Sequence, residues 1–262
     1  IPTETVYGLA GNAYSNKATT RIFRLKKRPK KNPLIVHYYN LKLLKKDCEI
    51  NNQFLKLYNK YCPGPISFIL KIKKNSLISK NVTNKKKTIA VRFPKHPLTR
   101  KLLKNLKYPL AAPSANISTK ISPISKQDVI DEFGKKIKFV LNGGESKIGL
   151  ESTIINLTKK PQILRLGGIE RNKINNFLKT NMKFIQNKNN ILVPGQGRVH
   201  YSPAIPMRLN VKKPKKNEAF ILIKKRKSYS KNFFYLTKNN NLKEAAKNLY
   251  KTLRIVKKNK FN

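Results

Sequence analysis

Short apolar runs alternate with stretches of helical spacing along most of the chain. The runs PLIVHYY (33–39), ISFILKI (66–72), TIAVRF (88–93), KFVL (138–141), STIINL (152–157) and QILRL (162–166) predict strands. In TIAVRF the alternation places Ile89, Val91 and Phe93 on one face. Thr88, Ala90 and Arg92 fall on the other, so Arg92 projects opposite the large apolar side chains. Helices are predicted over 17–26, 51–61, 98–105 and 125–132. The last carries a capping signal, with Ser125 as N-cap and Asp128 in the first turn. This mixture predicts an α/β or α+β fold with a twisted, open, mixed sheet.

The texture changes near residue 185. NKNNILVPGQGRVHYSPAIPMRLNVKKPKK is rich in Asn, Pro, Gly and Lys and has no periodic run, which marks a linker. Beyond it lie two strand signals, AFILI (219–223) and FFYL (233–236). A helix follows, with Leu242, Ala245, Ala246, Leu249, Leu253 and Val256 at helical spacing. The expected organisation is a catalytic domain over 1–180, a linker over 181–217 and a small, partial C-terminal α/β domain over 218–262. Ile1 is expected to lie inside a longer chain, and a C-terminal truncation is also expected.

Charge alters the picture of partners. The 262 residues contain 59 Lys and Arg against 11 Asp and Glu, a formal net charge of +48. Such a surface attracts polyanions, although the charge is spread along the chain rather than gathered in one stripe. No apolar stretch reaches membrane-spanning length. Cys48 and Cys62 have no disulfide-framework or zinc spacing, which suits a reducing, cytoplasmic setting, and His37, His96 and His200 are too scattered for a metal cluster.

Candidate chemistry gathers where polar residues meet Gly and Pro. PTETVYGLAGNA places Thr3, Glu4 and Thr5 after Pro2, with Gly8 and Gly11 permitting close backbone approach. In RLKKRPKKNPLIVH, Arg28 precedes a proline and is held out of the helical region, so its guanidinium is positioned for bidentate phosphate binding. YCPGPISFIL is architectural. LAAPSANISTKISP sets Ser114 and Asn116 on one face of an extended loop able to cradle phosphate, without the P-loop spacing. NGGESKIGLESTIINL puts Ser152 and Thr153 at a strand start, with Arg165 on the next strand. No Ser/His/Asp order, paired-carboxylate site or metal spacing emerges. The remaining equipment of cations, hydroxyls and backbone N–H groups suits phosphoryl or nucleotidyl transfer.

Taken in order, PTETVYGLAGNA, KKRPKKNPLIVH, CPGPISFIL, TIAVRFPKHP, APSANIS, KISP, GLESTIINL and ILRLGGI resemble the threonylcarbamoyl-AMP synthase family. The match covers 1–169, and the tail from PGQGRVHYSPAIP is similar to the linker and second domain of the family's long form. The resemblance implies helices around a large basic concavity and synthesis of threonylcarbamoyl-adenylate and pyrophosphate from L-threonine, bicarbonate and ATP, with magnesium accompanying ATP. The product would pass to a separate tRNA threonylcarbamoyl transferase. By matched motif, the resemblance implies that Lys26, Arg28 and Asn32 hold the ATP phosphates, Lys26 and Arg28 being catalytic. Ser114, Asn116, Thr88 and Arg165 would complete the nucleotide side. Thr5, His37, Arg92 and Ser152 would hold threonine, and His200 and Tyr201 would lie over the site from the linker. That linker reads VPGQGRVHYSP, where the family has S-P-G-M before an aromatic residue and H-Y. The family also has a strand and a helix before its first motif. Two other readings share these features: a double-stranded RNA or tRNA-binding module without synthase activity, and a carbamoyl-handling domain of a hydrogenase-maturation protein.

Overall fold

The computed structural model describes residues 1–185, 201–225, 230–259 and 261. In chain order the first elements are β1 (Gly11–Asn12), α1 (Asn16–Lys26), β2 (Ile35–His37), α2 (Leu41–Asp47), α3 (Asn52–Tyr61), β3 (Ile66–Lys71) and α4 (Lys80–Thr83). There follow β4 (Thr88–Arg92), α5 (Pro97–Asn105), β5 (Leu110–Ala111), α6 (Lys126–Phe133), β6 (Thr153–Asn156), β7 (Gln162–Arg165) and α7 (Arg171–Leu178). The last are β8 (Phe220–Lys224), β9 (Phe233–Thr237) and α8 (Leu242–Lys258).

Local chemistry sets the helix ends. Ser15 caps α1 by accepting from the Ala18 amide, and Lys27 ends it in the left-handed region at φ 48°. Arg24 and Lys26 in its last turn complement the helix dipole. Ser125 and Asp128 form the reciprocal capping box of α6 that the sequence predicts.

Strands β1 to β7 make one mixed sheet in the order β1-β5-β2-β4-β3-β6-β7. β2 runs parallel to β4, and β3 to β6; the other neighbours are antiparallel. The main core covers one face and includes Val36, Phe68, Ile89, Val91, Phe93 and Ile155. Ile35, Ile69, Ala90, Ile154 and Leu164 cluster separately. The split along β4 follows the alternation of TIAVRF, because side chains of successive strand residues point to opposite faces.

One predicted strand does not form. Residues 138–141 are irregular, with Phe139 87% exposed while Val140 packs on the core. The run is apolar, but among the described residues no strand pairs with it, and an unpaired apolar run is a loop. The first residues of the expected linker pack against the sheet. Met182 is buried, and Ile163 of β7 pairs with residues 183–185, accepting from the Ile185 amide and donating to the Lys183 carbonyl.

β8 and β9 form a separate two-stranded parallel sheet against which α8 packs. Tyr250 and Leu253 of α8 join Val6, Ile121 and Ile124 in a third apolar cluster, and Arg254 donates to the Ile121 carbonyl at 2.8 Å. Gly149, at φ 72°, lets α8 approach: a Cβ there would sit 2.5 Å from the Lys247 carbonyl oxygen. Among the described residues no helix is long and apolar enough to cross a membrane.

Candidate functional site

The site forms where one sheet face changes from apolar to polar. Ile35, Ala90 and Ile69 stand in register across β2, β4 and β3. Two residues farther along β2 and β4, the same face presents His37, Arg92 and Ser67, again in register. His37 and Arg92 are the last residues of two parallel strands, the end at which open α/β sheets bind ligands. Loops then close around them. A small cavity is lined by Arg28, His37, Arg92, Ser114, Ser152 and Arg165, together with Thr3, Tyr7, Gly8 and Glu151.

Each cation is held differently. Arg28 donates from Nε to the Asn32 carbonyl at 3.1 Å and from Nη2 to the Pro33 carbonyl at 2.9 Å. Burial and then Arg165 bring its pKa down to about 10. Arg165 donates to the Ser152 carbonyl from Nε and Nη2, and to Ser152 Oγ at 3.0 Å. Ser152 Oγ in turn lies 2.8 Å from Ser67 Oγ. Arg92 pairs with Glu4 at 2.7 Å, and Glu4 also accepts from the Lys95 amide. Burial opposes ionisation of Glu4, yet Arg92 and the amide hold its carboxyl below the ordinary 4.5.

His37 is 2% exposed, and among the described residues neither ring nitrogen makes a hydrogen bond of full geometry. Burial, then Arg92, holds its pKa well below 6.5, so the imidazole is neutral and offers an acceptor to the cavity. Ser114 enters through the small-residue loop, whose bridge to Gly8 draws it beside the N-terminal segment.

Several expected residues stand elsewhere. Lys26 is fully buried outside the cavity lining; its Nζ donates to the Ser114 carbonyl at 2.5 Å and to the Asn116 carbonyl. Burial, followed by Arg28, holds its pKa well below 10.5. Its ammonium thus ties down the small-residue loop from beneath. Asn116 braces the same loop by donating to the Ile117 and Lys120 carbonyls, each at 2.8 Å. Asn32 contributes its carbonyl to Arg28 rather than a side chain to the cavity. Thr5 lies one layer behind, 2.8 Å from the hydroxyl of Thr3, which does line the cavity. Thr88 is at the opposite end of β4 from Arg92, roughly 13 Å along the strand, because the site occupies only the C-terminal end. Tyr201 stacks on Tyr250 with ring centroids 5.6 Å apart. His200 lies outside the described residues.

Tyr7 and Glu151 line the cavity without having been assigned from the sequence. Glu151 carried a signal: it is the one acid in GLESTIINL, next to Ser152. The cavity holds about 40 Å³, room for about three waters.

Three comparisons bear on this arrangement. The Sua5–YciO–YrdC family model, described as "Telomere recombination", matches residues 1–167, and a model described as "Threonylcarbamoyl-AMP synthase, C-terminal domain" matches 169–261. A threonylcarbamoyl-AMP synthase of Pyrococcus abyssi is 43% identical over 178 residues, covering 66% of this chain and 51% of the relative. That of Schizosaccharomyces pombe is 37% identical over 248 residues, covering 80% and 60%. The Bacillus subtilis protein is 35% identical, covering 79% and 61%. The chain therefore spans between half and two thirds of the length of these relatives. The crystal structure of P. abyssi Sua5 complexed with L-threonine superposes with a TM-score of 0.89 at 33% identity, covering 98% of this chain and 81% of that one. A HypF structure matches 61% of the chain with a TM-score of 0.53 at 22% identity, a likeness of fold alone. With matched models over nearly its whole length and the same fold as a solved Sua5, the chain belongs to the Sua5–YciO–YrdC family.

Proposed function

We propose that the chain is an L-threonylcarbamoyladenylate synthase, converting L-threonine, bicarbonate and ATP to threonylcarbamoyl-AMP, pyrophosphate and water. The observation that carries this reading is the convergence of Arg28, Ser114, Arg165, His37, Arg92 and Ser152, from five chain segments, on one cavity. Relatives named for this activity, one with L-threonine bound, support it. In this reading the chain divides into a catalytic domain over 1–180, a linker over 181–217 and a smaller domain over 218–262.

The geometry suggests a division of labour. Arg28 and Arg165, with Ser114 and the loop amides, face the triphosphate and offset charge on the departing pyrophosphate. Arg92 suits the threonine carboxylate; Glu4 leaves its Nε without a partner among the described residues. The neutral His37 ring accepts a hydrogen bond from the threonine amine or ammonium. Ser152 offers a hydroxyl to the same substrate. Lys26 and Asn116 act by holding the loop that carries Ser114, and Asn32 by orienting Arg28. The threonine amine displaces hydroxide from bicarbonate to give a carbamate and water, and the carbamate oxygen attacks the α-phosphorus with loss of pyrophosphate. A water-poor cavity protects the labile carbamate.

Magnesium would arrive coordinated to ATP. The carboxylates at or beside the cavity do not fit a resident site: Glu4, behind the lining, is taken by Arg92 and the Lys95 amide, and Glu151, in the lining, accepts from the Ser122 and Tyr250 hydroxyls. Among the described residues no three His, Cys, Asp or Glu gather to hold a metal ion.

The deciding experiment is ATP–pyrophosphate exchange. The reading requires exchange that depends on both threonine and bicarbonate; exchange without either requirement, or none, overturns it. The product would go to a tRNA threonylcarbamoyl transferase. A second reading, an RNA-binding module, is favoured by a cleft of about 490 Å³ that shares Arg28 with the cavity and is also lined by Arg24, Lys27, Lys30, Lys80 and Lys85. Binding to double-stranded RNA or tRNA with a steep salt dependence and no effect of threonine would support it.

A further inference from the structure

The C-terminal helix reaches the cavity through one carboxylate. Glu151 is 8% exposed and lines the cavity. Its Oε1 accepts from Ser122 Oγ at 2.5 Å and its Oε2 from the Tyr250 hydroxyl at 2.8 Å, the latter 99 residues away on α8. Tyr250 does not itself line the cavity. Tyr201 stacks on it, and the next residue, Ser202, donates its amide to the Thr119 carbonyl at 2.8 Å. Burial raises the pKa of the Tyr201 hydroxyl, Glu151 adds to this, and Arg165 opposes it, so both charged groups act on that hydroxyl. Among the described residues the ion pairs of α8, at Lys251–Glu145, Arg254–Asp128 and Lys258–Asp131, involve no residue of the cavity lining.

We infer that Glu151 is a positioning residue that couples the docking of α8 to the nucleotide side of the cavity: Tyr250 fixes the carboxylate from outside, and the carboxylate fixes Tyr201 beside Arg165. This rests on the synthase reading for its kinetic consequence but not for its structural one. A carboxylate that loses a hydroxyl donor in a buried site seeks another, and the nearby cation is Arg165. Withdrawing that guanidinium weakens ATP binding first; on the threonine side Ser152 loses the Arg165 contact but is still held by Ser67 Oγ.

Tyr250→Phe keeps the ring and its stacking and removes only the donor. A hydrogen bond to a charged group, partly transmitted, predicts a KM for ATP about 5- to 20-fold higher. Over the same comparison kcat stays within about 3-fold and the KM for threonine within about 2-fold. Glu151→Gln is expected to show the same split. Lys258→Ala, which removes an exposed ion pair on the same helix, is expected to behave as wild type. A purely structural role would instead lower the active fraction, reducing kcat with KM unchanged. Hydrogen exchange of the substrate-free protein gives the independent reading: amides at 150–154 and Gly168, which donates to the Glu151 carbonyl, exchange faster in Tyr250→Phe and not in Lys258→Ala. Unchanged exchange at these amides, or an ATP KM within twofold of wild type, overturns the inference. If wild-type protein shows no ATP–pyrophosphate exchange, the synthase reading fails, and the amide exchange alone decides the coupling.

Discussion

Arg92 at the end of β4 and Glu4 in the N-terminal segment form an ion pair of 2.7 Å with both side chains less than a tenth exposed. The carboxylate offsets a buried guanidinium, so the cavity can hold Arg92 without its full desolvation cost. Removing one partner leaves the other charge uncompensated. Glu4→Ala is expected to destabilise the protein by about 3 kcal/mol in urea unfolding. The folded-state pKa of Glu4 lies below its ordinary 4.5, so its stabilisation is present above that pH and is lost as pH falls below it. Wild-type stability should therefore decline below pH 4.5 with a component that Glu4→Gln lacks.

Arg28→Ala tests the phosphate assignment. Loss of a preorganised donor to a charged transition state is expected to lower ATP–pyrophosphate exchange by about 100-fold or more. The side chain contributes two hydrogen bonds to loop carbonyls, so the melting temperature should fall by only about 2–4 °C. Near-wild-type exchange would remove Arg28 from the site.

His37 yields a pH prediction. Its folded pKa lies well below 6.5, so the unfolded chain binds the proton more readily. Stability is therefore expected to fall as pH drops below 6.5, and urea titrations of His37→Gln should lack that component. Between pH 6.5 and 8 the ring stays neutral, so the KM for threonine should show no histidine titration. His37→Ala should raise that KM about tenfold, the worth of one hydrogen bond of roughly 1.4 kcal/mol.

Lys26→Met separates a loop clamp from a phosphate ligand. Two buried carbonyls lose their donor at once, which predicts a loss of about 2 kcal/mol or more in stability. If Lys26 instead touched phosphate directly, activity would collapse with little change in the unfolding curve.

Thr88→Val serves as a contrast. Thr88 pairs with Lys71 at the far end of β4 from Arg92. The ATP KM is expected to stay within about twofold of wild type, as for substitutions away from a site. A tenfold rise would show that the nucleotide extends beyond the cavity described here.

Local order was legible in the residues themselves. The capping box at Ser125 and Asp128 and the two faces of TIAVRF follow from short-range hydrogen bonding and period-two alternation, which need no distant partner. Local sequence likewise showed Arg28, Ser114 and Arg92 to be chemically equipped, while the ordered motifs carried the family resemblance and, through it, the role of His37. Their meeting in one cavity was settled by strand order, since β2, β4 and β3 are neighbours only in space. Tertiary contacts also turned Lys26 inward onto carbonyls, left 138–141 unpaired, and joined Glu151 to Tyr250 across 99 residues. Those outcomes depend on which surfaces are buried together. Burial is a property of the assembled chain, and no window of neighbouring residues contains it.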